Sequence, residues 1–171
     1  MFNHFIPDHM TRDVFEISPD LFVREGIRAL ILDIDNTLVP YTSPHPTEEI
    51  LTWLAALTTK GIKYAFISNN DWGRVELFNR DIGAFAVAKS GKPSRKGLFA
   101  ALKNFGLPPS EVACIGDQVF TDVWAARRAG LRVFLVDPIE PREDLFFKLK
   151  RLGEKPFRRM YTRRELKNNG K

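Results

Sequence analysis

Residues 29–37 read Ala-Leu-Ile-Leu-Asp-Ile-Asp-Asn-Thr, and this stretch decides the fold class. The first four residues form a short apolar run that begins shortly after Gly26, which is typical of a buried strand. Asp33 and Asp35 follow where that strand ends. Side chains two residues apart on an extended chain share a face. Both carboxylates can therefore serve one site, where one attacks or holds a metal while the other handles a proton.

A second acidic loop follows a second apolar strand. Residues 112–115 are apolar, and residues 116–122 read Gly-Asp-Gln-Val-Phe-Thr-Asp. Ser68 and Lys92 lie at strand-end or loop positions between the two acidic segments. In parallel α/β sheets, ligands bind beyond the carboxyl ends of the strands. We therefore expect these polar residues to meet in a single site.

Apolar runs alternate with helical patterns along the chain. Strands are predicted over 27–32, 63–68, 85–88, 112–115 and 133–136, and helices over about 47–60, 74–81, 94–105 and 122–129. This alternation indicates an α/β fold whose parallel sheet is covered by helices on both faces. Residues 1–26 are predicted to be a helical lead-in. The expected domain covers residues 1–141 and is followed by a C-terminal tail over 142–171.

The composition of the chain limits the classes of protein to which it can belong. The chain has 171 residues, with 44% hydrophobic and 27% charged, which are values of one globular domain. Its single cysteine, Cys114, excludes an internal disulfide and is expected to be a buried thiol. Neither a signal peptide nor an apolar run of ~18 residues is found, so a cytoplasmic protein is expected.

The residue types at the predicted site suit phosphomonoester hydrolysis. Asp33 is the candidate nucleophile, which would form an aspartyl-phosphate and split the reaction into two steps. A carboxylate attacking a phosphoryl group needs the negative charge neutralised. A divalent metal bound by Asp33 and Asp117 could do this, and ligands that are all oxygen favour Mg²⁺.

The remaining polar residues have matching candidate roles. Asp35 would protonate the leaving alcohol and then deprotonate the attacking water. Lys92 would supply positive charge to the phosphate. Ser68 and the backbone amides of Asn69 and Asn70 would donate hydrogen bonds to phosphoryl oxygens.

Each feature also has a plain structural explanation. The acids could cap loops or a helix, and Ser68 could lie in an ordinary turn. Lys92 could be a solvated lysine, and Lys89 or Lys96 could take its role instead. Their joint occurrence in this order on successive strand ends favours the catalytic interpretation.

These four segments resemble the motifs of the haloacid dehalogenase superfamily of phosphohydrolases. Residues 33–37 match its DxDx[TV] pattern, Ser68 and Lys92 match its second and third motifs, and residues 116–122 match its GDxxxxD motif. The resemblance implies a Rossmann-like three-layer sandwich with a mostly parallel central sheet. An acid at position 35 is the phosphatase form of the family.

The resemblance also implies a set of site roles. Mg²⁺ would be held by the Asp33 carboxylate, the backbone carbonyl of Asp35 and the Asp117 carboxylate. Thr37 and Asp122 would support these groups from behind. The motifs are most similar to the YqeG-like branch of subfamily IIIA, whose relatives include phosphatidylglycerophosphate phosphatases.

Motif spacing and the tail bear on the substrate. Thirty residues separate Thr37 from Ser68 and 23 separate Ser68 from Lys92, so neither gap can hold a cap domain. An uncapped site suits phosphate groups on bulky carriers. Residues 142–171 contain 11 Lys and Arg against 4 Asp and Glu, with aromatic residues interleaved, which fits a segment on anionic lipid. The same residues could instead pack on the domain.

The sequence thus predicts a Mg²⁺-dependent phosphomonoesterase, peripheral on the inner face of the membrane. The family resemblance implies that it converts phosphatidylglycerophosphate to phosphatidylglycerol. One alternative is a soluble phosphatase acting on a sugar phosphate or nucleotide. Another is a protein that binds RNA or a ribosome through its basic tail, although the charge is accompanied by no nucleic-acid motif.

Overall fold

Six parallel strands form the centre of the molecule. The computed structural model describes the backbone of residues 3–140 and 145–169, and the side chains of 3–140 and 152–164. The strands are β1 (His9–Thr11), β2 (Ala29–Leu32), β3 (Lys63–Ile67), β4 (Phe85–Val87), β5 (Val112–Gly116) and β6 (Arg132–Val136). Their order across the sheet is β1-β6-β5-β2-β3-β4, and every neighbouring pair is parallel. The predicted α/β class with a parallel sheet is confirmed.

Six α-helices accompany the sheet. They are α1 (Pro19–Arg24), α2 (Glu48–Thr59), α3 (Trp72–Asn79), α4 (Lys96–Phe105), α5 (Trp124–Arg128) and α6 (Leu145–Asn169). The two faces of β2 explain the layers, because successive strand side chains point to opposite faces. Leu30 and Leu32 pack in one cluster with α1, α2 and α3, whereas Ala29 and Ile31 pack in another with α4 and α5. The central strand is therefore buried on both sides.

Helix α3 begins earlier than the sequence pattern predicts. The helix was expected over 74–81, but it starts at Trp72 because the Asp71 carboxylate accepts a hydrogen bond of 2.9 Å from the backbone N–H of Arg74. Such an N-cap satisfies one of the open N–H groups of the first turn. Arg74 consequently lies in the first turn, at the end of the helix that faces the carboxyl edge of the sheet.

The N-terminal segment agrees only in part with the prediction of a helical lead-in, because α1 begins at Pro19 but the segment also contains a strand. Residues 9–11 form β1, an edge strand that pairs with β6. Its residues are only partly buried and form no apolar run, so the pattern carried no strand signal. The pairing is fixed by tertiary contacts, since the Asp8 carboxylate accepts hydrogen bonds from the Val133 backbone N–H at 2.9 Å and from Arg127 at 2.9 and 3.0 Å.

The two long gaps between motifs hold the fold's own elements. Residues 38–67 contain α2 and β3, and residues 69–91 contain α3 and β4. Both gaps are described in full and neither contains a cap domain, as predicted. Among the described residues, no helix combines the length and apolar character that a membrane span requires.

The segment after β5 departs from the predicted helix over 122–129. Residues Val119–Val123 form a π-helical turn that continues into α5. This turn brings the side chain of Asp122 back onto Gly116, the last residue of β5. A Cβ atom built on Gly116 would lie 2.5 Å from the Asp122 Cβ. Only glycine permits this approach, which explains the glycine of the motif.

We expect Gly116→Ala to lower the stability of the fold by about 1–3 kcal/mol, because the added methyl group forces Asp122 out of its place. Gly73→Ala in α3 is the matched control, since its added Cβ would meet only the Asp71 carboxylate, at an ordinary 3.4 Å. Thermal unfolding of both variants beside the wild type measures the difference. Equal melting temperatures for the two variants would contradict the packing argument.

Candidate active site

The predicted site residues converge at the carboxyl edge of the three central strands. Asp33 follows β2, Ser68 follows β3, and Asp117 follows β5. Strand β2 pairs with β3 on one side and with β5 on the other. Lys92 reaches the same place from the loop between β4 and α4. The positions quoted from the sequence therefore surround one point, because parallel strands end at the same edge.

Lys92 is the cation at the centre of this arrangement. Its Nζ atom lies 2.6 Å from Asp33 Oδ1 and 2.7 Å from Asp122 Oδ1, and it donates a hydrogen bond of 2.7 Å to the Ile67 carbonyl. The residue is only 7% exposed. Burial on its own would lower the pKa of Lys92, but the carboxylates of Asp122 and Asp33 outweigh burial and raise it above its usual range. Lys92 is therefore a permanently charged, fully partnered ammonium group rather than a solvated lysine.

The carboxyl group of Asp33 lies in a buried and strongly charged environment. Burial, together with the neighbouring carboxylates of Asp122 and Asp117, raises its pKa to about 7 against the opposing effect of Lys92. Its Oδ2 atom accepts a hydrogen bond of 3.1 Å from the Thr37 hydroxyl. Ionisation of Asp33 in the metal-free protein thus costs free energy, although Lys92 and Thr37 hold its two oxygens in place.

Three carboxylates form a cluster with the chemistry of a cation site. One oxygen from each of Asp33, Asp117 and Asp122 lies within 4.8 Å of the other two, and all three residues are buried. Lys92 supplies a single positive charge against them. Hard oxygen ligands and an excess of negative charge suit Mg²⁺. The donor set therefore fits a divalent cation.

Asp122 and its loop are held by several hydrogen bonds. Its Oδ2 atom accepts bonds of 3.2 Å from the Gln118 backbone N–H and from the Thr121 hydroxyl, while Oδ1 faces Lys92. These contacts join the two ends of the acidic loop. The same loop is held from outside by α6, where the buried Glu154 carboxylate accepts a bond of 3.0 Å from the Val119 N–H.

The carboxylate of Asp35 lies apart from this cluster. Its Oδ1 atom is 3.0 Å from Arg74 Nε and 2.9 Å from Arg74 Nη2. Its Oδ2 atom accepts longer bonds from the Ser68 hydroxyl at 3.5 Å and from Asn70 Nδ2 at 3.3 Å. Asp33 and Asp35 are thus two residues apart but have different counter-ions, Lys92 for one and Arg74 for the other.

Arg74 is the residue that the sequence analysis missed. The sequence offered one clue to its role, which was its position six residues after Ser68, in the first turn of the helix that follows β3. Nothing in the pattern shows which of the many arginines in the chain approaches Asp35, because that pairing depends on the Asp71 cap and on the loop over 40–46. Arg74 Nη1 donates a hydrogen bond of 2.9 Å to the Pro44 carbonyl of that loop.

The side chain of Asn69 binds the loop that carries Lys92. Its side chain accepts hydrogen bonds from the Lys92 N–H at 2.7 Å and the Ser90 hydroxyl at 2.8 Å, and donates one to the Lys92 carbonyl at 3.1 Å. The backbone N–H of Asn70, also expected to face phosphate, donates to the Ser68 hydroxyl oxygen at 3.0 Å. The Asn69 side chain therefore holds Lys92, and phosphate binding by the Asn69 amide stays a prediction.

The described part of the C-terminal tail packs beside the acidic loop. Phe157 contacts the rings of Phe5 and Phe120, with centroid distances of 5.0 and 5.8 Å. Arg158 pairs with Asp137 and donates a bond of 3.2 Å to the Val136 carbonyl. Packing of the start of the tail on the domain through Leu145, Phe146 and Leu149 stays a prediction, because those side chains lie outside the described part of the chain. The division of the chain at residue 141 stays a prediction.

Comparison with known proteins agrees with this geometry. A family model described as haloacid dehalogenase-like hydrolase matches residues 41–130, just over half of the chain. The chain is 32% identical over 151 residues to the probable phosphatase YqeG of Bacillus subtilis, and the match covers 88% of each chain. It is 25% identical over 152 residues to phosphatidylglycerophosphate phosphatase 1, chloroplastic/mitochondrial, of Arabidopsis thaliana, covering 82% of this chain and 43% of that protein.

The fold is also found among solved structures. The 3-deoxy-D-manno-octulosonate 8-phosphate phosphatase of Moraxella catarrhalis, solved with a magnesium ion, a phosphate ion and a KDO molecule, superposes with a TM-score of 0.54 at 22% identity. The superposition covers 71% of this chain and 75% of that one. The chain therefore belongs to the haloacid dehalogenase-like hydrolases, as an enzyme of the phosphatase type.

Proposed function

We propose that this phosphatase hydrolyses a phosphomonoester through an aspartyl-phosphate on Asp33, with Asp35 as the acid and base. The observation that carries the proposal is the separation of the two acids. Asp33 is buried against Lys92 within a carboxylate cluster, whereas Asp35 is held outside that cluster by Arg74. Two carboxylates in such different environments can take different roles in one reaction.

The proposed reaction has two steps. In the first, the Asp33 carboxylate attacks phosphorus, the bond to the leaving alcohol breaks, and Asp35 gives its proton to the departing oxygen. In the second, water attacks the same phosphorus, Asp35 takes a proton from it, and the bond to Asp33 breaks to release inorganic phosphate. Lys92 would supply positive charge beside the phosphoryl group, and the Ser68 hydroxyl would donate a hydrogen bond to one of its oxygens.

The cofactor in this proposal is Mg²⁺. The Asp33 and Asp117 carboxylates and the backbone carbonyl of Asp35 would hold the ion, with Thr37 and Asp122 behind them. Bound there, the ion supplies positive charge that offsets the repulsion between the carboxylates and an incoming phosphate. Because Asp122 already binds Lys92, Gln118 and Thr121, it can hold the loop while Asp117 serves as the ligand.

The proposed substrate is phosphatidylglycerophosphate at an anionic membrane surface. The Arabidopsis relative supports this substrate class, and so does the uncapped site, which a headgroup on a large carrier can reach. Three exposed side chains lie in segments next to the site: Tyr41 at 43%, Trp72 at 58% and Ile139 at 44%. Tyr41 accepts a hydrogen bond from Asn70, and the backbone N–H of Ile139 donates one to the Asn36 carbonyl. Trp72 is the first residue of α3. Exposed apolar side chains around a charged site suit a lipid interface.

A soluble phosphate ester is the remaining candidate substrate. The solved neighbours support only the fold, so they do not favour a phosphosugar for this chain. The third interpretation, an RNA-binding protein in which the acids are dispensable, is disfavoured by membership in a family of hydrolases.

We expect release of phosphate from phosphatidylglycerophosphate in mixed micelles with Mg²⁺, and a loss of at least about 10³-fold in Asp33→Asn because the nucleophile is removed. Asp81→Asn, at an exposed acid in the turn after α3, is the matched control and should keep full activity. Soluble phosphomonoesters are assayed beside the lipid. Turnover of soluble esters alone would reject the lipid substrate, and turnover of neither would reject the proposed function.

Mg²⁺ should stabilise the protein against thermal unfolding. At 100 times its dissociation constant a ligand adds about 2.7 kcal/mol, which is roughly 5–10 °C for a domain of this size. Asp117→Asn should remove the shift, whereas Asp81→Asn should keep it. Since Asp33 has a pKa of about 7 in the metal-free protein, a proton competes with the ion below that pH, and the shift should be larger at pH 8 than at pH 6. A shift that is unchanged in Asp117→Asn would contradict the proposed site.

Binding to anionic vesicles tests the proposed surface. Arg159, Arg163 and Arg164 are exposed on α6, and each cation near such a surface contributes about 1 kcal/mol. Their joint replacement by Gln should weaken binding about 100-fold in a sedimentation assay. The control replaces the exposed Arg24, Arg80 and Lys103 by Gln. Equal weakening in both triple variants would indicate attraction by net charge alone.

A further inference from the structure

We propose that Arg74 is a positioning residue for Asp35, and that it assigns proton transfer to the Oδ2 atom of that carboxyl group. The inference rests on the proposed function, in which Asp35 is the acid and base. Its basis is that one guanidinium group donates hydrogen bonds from Nε and Nη1, keeps Nη2 in ion-pair contact, and occupies a single oxygen of the acid.

The guanidinium of Arg74 is anchored at both sides. Nε and Nη2 lie 3.0 and 2.9 Å from Asp35 Oδ1, and Nη1 donates to the Pro44 carbonyl at 2.9 Å. The side chains of Arg74 and Asp35 are each only 12% exposed. The backbone of Arg74 is fixed in turn by the bond from its N–H to Asp71. A planar guanidinium held in this way has little freedom, so it fixes the rotation of the Asp35 carboxylate.

The two oxygens of Asp35 therefore differ. Oδ1 accepts a hydrogen bond of 3.0 Å from Arg74 Nε and lies 2.9 Å from Nη2 of the same cation, and both contacts stabilise negative charge on that atom. Oδ2 faces only neutral donors at 3.5 and 3.3 Å, from Ser68 and Asn70, and such long bonds are weak and easily exchanged. Ser68 follows β3, the neighbour of β2, so Oδ2 is the oxygen of Asp35 that contacts a residue proposed to bind the phosphoryl group. The proton of Asp35 belongs on Oδ2.

The proton balance follows from this assignment. In the first step the O–H bond on Oδ2 breaks and its proton goes to the alcohol oxygen, while Oδ1 remains paired with Arg74. In the second step Oδ2 accepts a proton from the attacking water. Arg74 gives and takes no proton, so its contribution is orientation of the carboxyl group.

A structural role for Arg74 makes a different prediction. If the residue only ties the loop over 40–46 to α3, its loss affects all substrates alike. If it positions an acid, its loss affects substrates according to their need for that acid. An alkyl alcohol is a poor leaving group that needs a proton, whereas p-nitrophenolate leaves readily without one.

The experiment compares kcat/KM for p-nitrophenyl phosphate and for an alkyl phosphate, either the lipid substrate or glycerol 3-phosphate. For Arg74→Gln we expect a loss of about 10- to 100-fold on the alkyl ester and less than about threefold on the aryl ester. Arg74→Lys keeps the charge without the planar fork and should stay impaired on the alkyl ester. Arg80→Gln, which removes an exposed arginine at the end of the same helix, is the matched control.

The outcomes separate this inference from the proposed function. Equal losses on both esters, or full activity of Arg74→Lys on the alkyl ester, would overturn the positioning role while leaving the phosphatase reaction intact. If the wild type hydrolyses neither ester, the proposed function fails and the role of Arg74 fails with it. A preferential loss on the alkyl ester, with a melting temperature close to that of Arg80→Gln, supports the inference.

Discussion

The ion pairs of Lys92 with Asp33 and Asp122 are the constraint on which the site depends. Burying an ammonium group is favourable only where carboxylates and hydrogen-bond acceptors surround it, and this one also binds the Ile67 carbonyl. The contacts join four separate segments of the chain, those of Asp33, Ile67, Lys92 and Asp122, at one point. Asn69 completes the arrangement, because its amide holds both the N–H and the carbonyl of Lys92 and so fixes where the ammonium group lies.

The same constraint leaves the site with unbalanced charge. Three buried carboxylates face one ammonium group, and this excess, added to burial, explains why the Asp33 carboxyl has a raised pKa. A protein that needed only stability would replace such a cluster with apolar residues, because buried ion pairs rarely contribute net stability. The carboxylate cluster is understandable in a site where a bound cation and a phosphate balance its charge during function.

The parts that were predictable are those encoded by local patterns. β2 and β5 are short apolar runs, and their exits carry the acids, so the strands and the convergence of Asp33 with Asp117 follow from periodicity and the geometry of parallel sheets. β1 was missed because its pairing depends on the contacts of Asp8 rather than on its own residues. The side-chain bonds of Asn69 and the approach of Arg74 to Asp35 were missed for the same reason, since both join segments more than 20 residues apart.

The short sequence Asp-Ile-Asp gains its chemistry from what surrounds it. Two carboxylates separated by one residue have the same intrinsic acidity and would be interchangeable in an exposed loop. Here Ile34, which is completely buried, anchors the segment in the core, and the two acids meet different partners. Asp33 faces a buried ammonium within a cluster of like charges, whereas Asp35 faces a guanidinium that engages one oxygen. The proposed division of roles between nucleophile and acid is therefore a property of Lys92 and Arg74 as much as of the acids themselves.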